Sequence, residues 1–519
     1  MSALRFSDPA RAQIDDALAW LRTHVKPDAQ LHADTRSLAN GDAFLAYAVE
    51  GADNRPFIDH AIERGAAAVL YQPEGLATTK PAAAIAHAVP ALNELAGAIA
   101  SAWYHDPSDA MRVIGVTGTN GKTSCTQWIA TALSAHGVPC AVIGTLGSGM
   151  PGHLVHTGFT TPDAPQLQRS LAQLHHDGAQ AIAMEVSSHA LHQGRVNGTK
   201  FDIAVFTNLT QDHLDYHRTF AAYEAAKARL FEWPELRVAV INADDEAGRR
   251  LIASTKGHAR TIAYSLEGGM SSPDVSALLA DQALIASDVR ATAMGTAFHL
   301  VSDWGSADVE VGTLGAFNVS NLLGVLGALL AANVPFDAAL EQIAQLEPVN
   351  GRMQRLGGRL QNDEPLVVID YAHTPDALEK TLAALRPIAQ ARGGELVCMF
   401  GCGGDRDATK RPLMGAIAER SADALVVTSD NPRSEDPQAI IDQIVAGMTQ
   451  PSKARCIEDR ASAILQAIRS AAREDVVVLA GKGHEATQEI MGKKREFSDQ
   501  NHARLALAAR ATQARGGGE

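Results

Sequence analysis

The nine residues Gly115-Val-Thr-Gly-Thr-Asn-Gly-Lys-Thr123 (GVTGTNGKT) place three glycines, a lysine and threonine hydroxyls in one short loop. Glycines let backbone N–H groups approach phosphate oxygens, an ammonium neutralises terminal phosphates, and a hydroxyl beside it can join the shell of Mg²⁺. The stretch therefore reads as a nucleotide-phosphate site formed by Gly118, Thr119, Asn120, Gly121, Lys122 and Thr123. It departs from the commonest phosphate-loop spacing, because the position five before Gly121 is Val116. Glu185 in MEVSSH closes an apolar run; alone it would be a surface or ion-paired residue, but in the sheet of a phosphate loop it is a candidate Mg²⁺ ligand. TNLTQDHLDYH brings Asp212, His213, Asp215 and His217 within six positions. Capping and solvent-facing polarity can explain that run, while a metal-bound nucleotide makes His213 a second candidate ligand, weaker than Glu185 because magnesium prefers oxygen. In VVTSDNPRSEDP an apolar strand pattern ends in Asp430, Asn431, Pro432 and Arg433, a carboxylate, an amide and a guanidinium presented on a stiff turn. That set is either a binding edge or a turn with an exposed ion pair.

These residues need rigid elements behind them. MRVIGV precedes the phosphate loop, and AIAMEVSS, IAVFTNL and RVAVINA alternate with helical patterns, which predicts a mainly parallel, doubly wound α/β sheet. The pattern restarts near GRMQRL with PLVVIDYAHT, ELVCMFGCGG, ADALVVTSD and DVVVLAGKG, a second α/β unit whose functional loops should follow the strand ends. Residues before HDPSD read as a smaller α/β unit of short strands and helices. The boundaries expected are 1–107, 108–347 and 348–519, in keeping with roughly 100 to 200 residues per domain for 519 residues. Residues 260 to 315, rich in β-branched side chains and glycine, are expected to form a small side sheet. The greasy run Leu322 to Val334 reads as a buried helix, with Asn318 and Ser320 as possible caps. The terminal RGGGE is expected to be disordered.

Composition narrows the partners. Apolar residues make up 46% and charged residues 20%, as in a soluble globular protein. A net charge of −14 argues against nucleic acid, which calls for a basic stripe. Five cysteines without a CxxC pair suggest reduced thiols and a cytoplasmic location. The start MSALRFSDPA lacks an apolar signal core, and no run is long enough to span a bilayer. No membrane insertion and no obligate protein partner are expected.

GVTGTNGKT, TTP at 160 to 162, EVSSH, NLTQDHLDYH, YEAAK, GAFNVSN, YAHTPDAL, GCGGDRD, DNPR and GKGHE occur in that order across nearly the whole chain. Together they resemble the Mur ligases. The resemblance implies an N-terminal UDP-sugar-binding domain, a central ATPase and a Rossmann-like C-terminal domain for an incoming amino acid. It implies ATP and Mg²⁺ as cofactors, and Lys122, Glu185, His213 and Lys227 as catalytic residues, Lys227 as a carbamate. Without it, Lys227 in AAYEAAKARL would read as an exposed helical lysine. Thr123, Glu185, His213 and the Lys227 carbamate would hold metal; Asn318, Arg352, His373 and Asp376 would surround the nucleotide. Thr160, Thr161, Ser187, Gln193 and Arg195, with Thr35 near the uridine, match positions for UDP-MurNAc-L-Ala-D-Glu. The segment EGADNRP departs from the family's form, so no uracil contact is assigned there. Arg406, Asp430, Asn431, Pro432, Arg433, Gly481 and Glu485 match positions for meso-diaminopimelate. Relatives that add L-lysine lack the arginine-bearing motif, so DNPR implies a substrate with a distal carboxylate that a two-pronged guanidinium can grip. Another ligase of the superfamily, a lysine-adding enzyme or a folylpolyglutamate synthetase, is the nearest rival. A P-loop nucleotide switch is the rival from another class.

Overall fold

The structure is a computed structural model and describes residues 7–76, 85–266, 280–292 and 295–516. Three sheets organise the chain. In the first, Leu31–His32, Ala43–Ala46, Ala68–Tyr71 and Ala86–Ala88 run parallel, with helices Asp8–His24 and Leu92–Trp103 supplying much of the apolar cover. The second has eleven strands. Seven run parallel in the order Cys140–Gly144, Ala181–Glu185, Arg112–Thr117, Ile203–Phe206, Val238–Asn242, Arg260–Leu266 and Gln282–Ala291. Those strands read as near-continuous apolar runs because both faces are covered. One face packs on helices Lys122–Ala135 and Ala316–Ala331, the other on Ala164–His176 and Glu246–Thr255. The third sheet orders Gln354–Gly357, Leu366–Asp370, Val476–Ala480, Leu396–Phe400, Ala424–Val427 and Ala454–Cys456, parallel except for its first strand. The chain is thus α/β with mainly parallel sheets in three units.

Two expectations are corrected. Residues 260 to 315 make no separate side sheet: Arg260–Leu266 and Gln282–Ala291 extend the main sheet, and the hairpin Thr296–Ser302/Gly305–Val311 closes its edge. β-Branched composition reports a strand but not its partner, and here the buried Ile262, Tyr264, Leu284 and Phe298 join the main core. Asn318 and Ser320 cap nothing, because the helix already begins at Ala316 behind Gly315, whose φ of +89° favours glycine. Asn318 instead donates from Nδ2 to the Leu314 carbonyl at 2.9 Å. Of RGGGE, Arg515 and Gly516 finish the helix Asp499–Gly516, and 517–519 lie outside the described residues, as do 1–6 of the N-terminal start.

Candidate active site

Strand Arg112–Thr117 lies between Ala181–Glu185 and Ile203–Phe206; its own following helix packs on one face of the sheet while the segments after both neighbours pack on the other, so the loop after it sits at the switch point where open α/β sheets bind ligands. The phosphate loop follows, and helix Lys122–Ala135 starts at once, aiming its N-terminus at the loop. Gly118 and Gly121 have φ of +145° and +88°, and a Cβ on either would collide with Thr207 Oγ1 or Asn321 Oδ1. Only glycine lets the loop lie that close to its neighbours. Lys122 Nζ donates to Gly118 O and Thr119 O, each at 2.8 Å, and burial lowers its pKa.

A cavity of about 740 Å³ opens over this loop. Its wall includes Thr119 to Ser124, Glu185, His213, Asn318, Arg352 and His373, so the second and third sheets both contribute. Arg352 Nη2 donates to Thr123 Oγ1 at 3.2 Å, while Nη1 is buried without a partner among the described residues and the guanidinium lies over the Tyr371 ring. An unpaired buried guanidinium N–H is costly unless an anion completes it. Asp376 accepts from Asn120 Nδ2 at 3.2 Å and pairs with Lys380. His373 is held neutral, pushed down to about 4 by burial and then by Lys410.

The metal candidates sit around the same loop. Thr123 and Glu185 present hard oxygens, suited to Mg²⁺. Glu185, 1% exposed, accepts from Thr145 N at 2.8 Å and Thr145 Oγ1 at 3.2 Å. His213 pairs with Asp212 at 3.4 Å. No cluster of three His, Cys, Asp or Glu converges among the described residues. The donor set fits a cation shared with nucleotide phosphates rather than one caged by protein. Lys227 is not an exposed helical lysine: it is 2% exposed, its Nζ donates to Gly118 O at 2.7 Å, and it lies over the Tyr223 ring. Burial, reinforced by Lys122, holds its amine well below the ordinary lysine value. A helix nine residues long shows no strong apolar stripe at this position, which is why spacing alone misplaces it.

A second cavity, of about 1090 Å³, adjoins the first; Thr145, Thr160 and Tyr371 line both. Its far wall includes Asn431, Arg433, His484 and Glu485. Asn431 Nδ2 donates to Glu485 Oε2 at 2.7 Å. Arg433, with φ of +52°, donates from Nη1 to Gly404 O at 2.7 Å. Beneath them lies Lys482, fully buried, whose Nζ reaches Glu485 at 2.8 Å, Asn431 Oδ1 at 3.1 Å and Asp430 at 3.7 Å. Burial raises the Asp430 pKa against the opposing pull of Lys482. Burial also raises that of Glu485, but Lys482 and the Asn431 hydrogen bond outweigh it and the net shift is downward. Gly481 is confined by Asp430, whose Oδ2 would stand 2.7 Å from an added Cβ. Pro432 holds the turn, and its carbonyl blocks any side chain at Gly404. Arg406 is exposed and lines neither cavity. Lys482 went unread in GKGHE because a loop lysine is ordinarily exposed; its glycine neighbours on both sides were the available signal.

The remaining candidates form a chain along one side. Thr161 Oγ1 donates to Glu185 O at 2.8 Å and accepts from Ser187 N. Ser187 caps helix Ser188–His192. Arg195 bridges Gln193 Oε1 and Thr161 O, and Gln193 Nε2 donates to Glu50 O of the N-terminal unit at 2.9 Å. Thr35 is buried against His60, 3.0 Å from its Nδ1, and lines neither cavity.

Residues 116–329 match the Mur ligase middle domain and 351–483 the Mur ligase glutamate ligase domain. The chain belongs to the Mur ligase family. Within it, a UDP-N-acetylmuramoyl-L-alanyl-D-glutamate–2,6-diaminopimelate ligase from Ralstonia nicotianae is 58% identical over 511 residues, 98% of each chain. A solved structure of a UDP-N-acetylmuramoyl-L-alanyl-D-glutamate–2,6-diaminopimelate ligase is 36% identical with a TM-score of 0.64, spanning 95% of this chain and 99% of its own. A MurF ligase from Thermotoga maritima in complex with ADP shares the fold at 15% identity, with a TM-score of 0.63 over 94% of this chain and 99% of its own.

Proposed function

We propose that the protein is an ATP-dependent amide ligase that joins meso-2,6-diaminopimelate to the D-Glu side carboxylate of UDP-MurNAc-L-Ala-D-Glu, releasing ADP and phosphate in the cytoplasmic stage of peptidoglycan synthesis. The observation that carries the reading is the meeting of two unlike cavities at Thr145, Thr160 and Tyr371, one built on a phosphate loop and the other on Asn431, Arg433 and Glu485. Residues 1–107 serve the UDP-sugar, 108–347 ATP, and 348–519 the amino acid.

A carboxylate is a poor electrophile. Transfer of the γ-phosphoryl group of ATP to the D-Glu carboxylate gives an acyl phosphate; the amine of diaminopimelate attacks its carbonyl carbon, and the tetrahedral adduct expels phosphate. Lys122 and Arg352 offset negative charge gathered near the phosphate loop, and the Arg352 Nη1, buried without a partner among the described residues, is ready to receive an anionic oxygen. Alignment supplies much of the remaining rate, since effective molarities in well-oriented systems reach on the order of 10⁵ M. Mg²⁺, when bound, neutralises charge on the phosphates and orients them. Thr123, Glu185 and His213 would hold it, with a Lys227 carbamate as a further anionic donor. The neutral Lys227 amine favoured by burial is the form that combines with CO₂, losing one proton as the N–C bond forms.

At the other cavity, Arg433 receives the distal carboxylate of diaminopimelate, with Arg406 nearby, and Glu485 receives the distal ammonium. Asn431, Asp430, Pro432 and Gly481 shape the seat. With the D-Glu side carboxylate labelled with ¹⁸O, one labelled oxygen is expected in the phosphate released during turnover. Unlabelled phosphate accompanied by amide product would contradict the acyl-phosphate route.

A further inference from the structure

Two loops carry the guanidiniums assigned to the diaminopimelate seat, Arg406 on one and Arg433 on the other, and a dense set of contacts joins them. Gly404 N donates to Asn431 O at 2.9 Å and Arg433 Nη1 donates back to Gly404 O. Ser434 donates from N and Oγ to the two Asp405 carboxylate oxygens. Asp405 and Arg433 both sit at positive φ, +53° and +52°, a conformation that non-glycine residues hold only when surrounding contacts enforce it.

The centre of this set is Glu435. Its Oε1 accepts from Asp405 N at 2.6 Å, and its two oxygens accept from Arg411 Nη2 and Nη1 at 2.9 and 2.8 Å. Arg411 is 1% exposed, and it also donates to Gly403 O at 3.0 Å and Gln443 Oε1 at 2.8 Å. One buried guanidinium therefore ties the Arg406 loop, through Gly403, to the Arg433 loop, through Glu435. The Arg411 guanidinium beside it pushes the Glu435 carboxyl down to about 2, so the pair is charged at neutral pH. The forked geometry matters, because a lysine ammonium cannot bond both carboxylate oxygens and a third acceptor in one plane.

Resting on the diaminopimelate reading above, we infer that Glu435, clamped by Arg411, is a positioning residue that sets specificity for the amino-acid substrate. It touches no reacting atom. It fixes the spacing between the Arg406 and Arg433 loops, and so the ability of the seat to tell a substrate with a distal carboxylate from one without.

The test uses the full-length Glu435→Gln, Glu435→Asp and Arg411→Lys variants, with KM for meso-diaminopimelate, KM for ATP, kcat, and kcat/KM for L-lysine measured together. Glu435→Gln and Arg411→Lys are expected to raise KM for diaminopimelate about tenfold or more and to lower its preference over L-lysine by a similar factor. KM for ATP should stay within about twofold, because the nucleotide cavity does not use this tie. Glu435→Asp, which keeps the charge, should recover part of the preference. Unchanged diaminopimelate KM would overturn the inference, and so would a fall in thermal midpoint with ATP and diaminopimelate KM rising together, the mark of a merely structural pair. If the parent protein itself forms no diaminopimelate amide, the functional reading fails first and the inference falls with it.

Discussion

Lys227 carries more chemistry than its place in the chain suggests. Its Nζ is buried beside Lys122 with the Gly118 carbonyl as hydrogen-bond acceptor, and burial of a charge so thinly compensated is costly, which draws its pKa well below the ordinary lysine value. The shift favours the unprotonated amine, which is the form nucleophilic toward CO₂. Lys227→Ala is expected to lose on the order of 10³-fold in kcat, the scale seen when an electrostatic donor is removed from a catalytic site. A short carboxylic acid added to the assay should restore part of it; full activity in the unrescued variant would remove the carbamate from the account. The motif YEAAK gives the residue type and its helix, but not its depth. Depth depends on Gly118 and Tyr223, which reach Lys227 from a distant loop and from one turn away. The same holds for Lys482, visible as a letter in GKGHE, whose three polar partners come from two loops.

At the scale of elements, close approaches between units decide what each helix can carry. Helix Leu92–Trp103 meets the segment after Arg195 so tightly that a Cβ on Gly97 would stand 1.8 Å from Asn197 O, and a Cβ on Gly198 2.5 Å from Gly97 O. Gly97→Ala is therefore expected to destabilise the protein by about 1 to 3 kcal/mol through overpacking. Calorimetry should show a lowered thermal midpoint, and an unchanged one would mean that this junction yields easily. Periodicity made the strands of the main sheet legible, because seven parallel strands buried on both faces read as plain apolar runs. It did not reveal that Arg260–Leu266 and Gln282–Ala291 continue that sheet, since pairing is a long-range choice made by the shared core. It placed caps at Asn318 and Ser320, where Gly315 had already opened the helix. Strand ends were legible as sites because Glu185, Asp430 and Gly481 follow apolar runs; Thr145, a partner of Glu185, was missed because an isolated threonine in a loop gives no pattern.

For the whole molecule, the site is a junction, and its stability should follow pH accordingly. His373 and His484 sit where the units meet, pushed down to about 4 and about 3 by burial first. Lys410 and Arg352 lower His373 further against Asp212, while Arg352, His156 and Lys482 lower His484 against Glu485. Both ordinary values are 6.5, so between pH 6.5 and about 4 the unfolded chain binds protons that the folded one refuses. Stability contributed by these neutral imidazoles is thus present above pH 6.5 and falls as the pH drops toward 4. The thermal midpoint should decline over that window, more shallowly in His373→Gln than in the parent; equal slopes would show that the imidazole titrates freely when folded.

On the proposed function, one cavity activates a carboxylate with ATP while its neighbour selects a diamino dicarboxylic acid. The most direct measurement is ATP- and Mg²⁺-dependent ligation to UDP-MurNAc-L-Ala-D-Glu with meso-diaminopimelate and L-lysine offered together, the product identified by mass spectrometry. The diaminopimelate tripeptide is expected in large excess, on the order of 10⁴-fold by kcat/KM, because a polar seat rejects an analogue that leaves Arg433 without its carboxylate. Preferential lysine addition, or ATP hydrolysis with no amide formed from either amine, would contradict it.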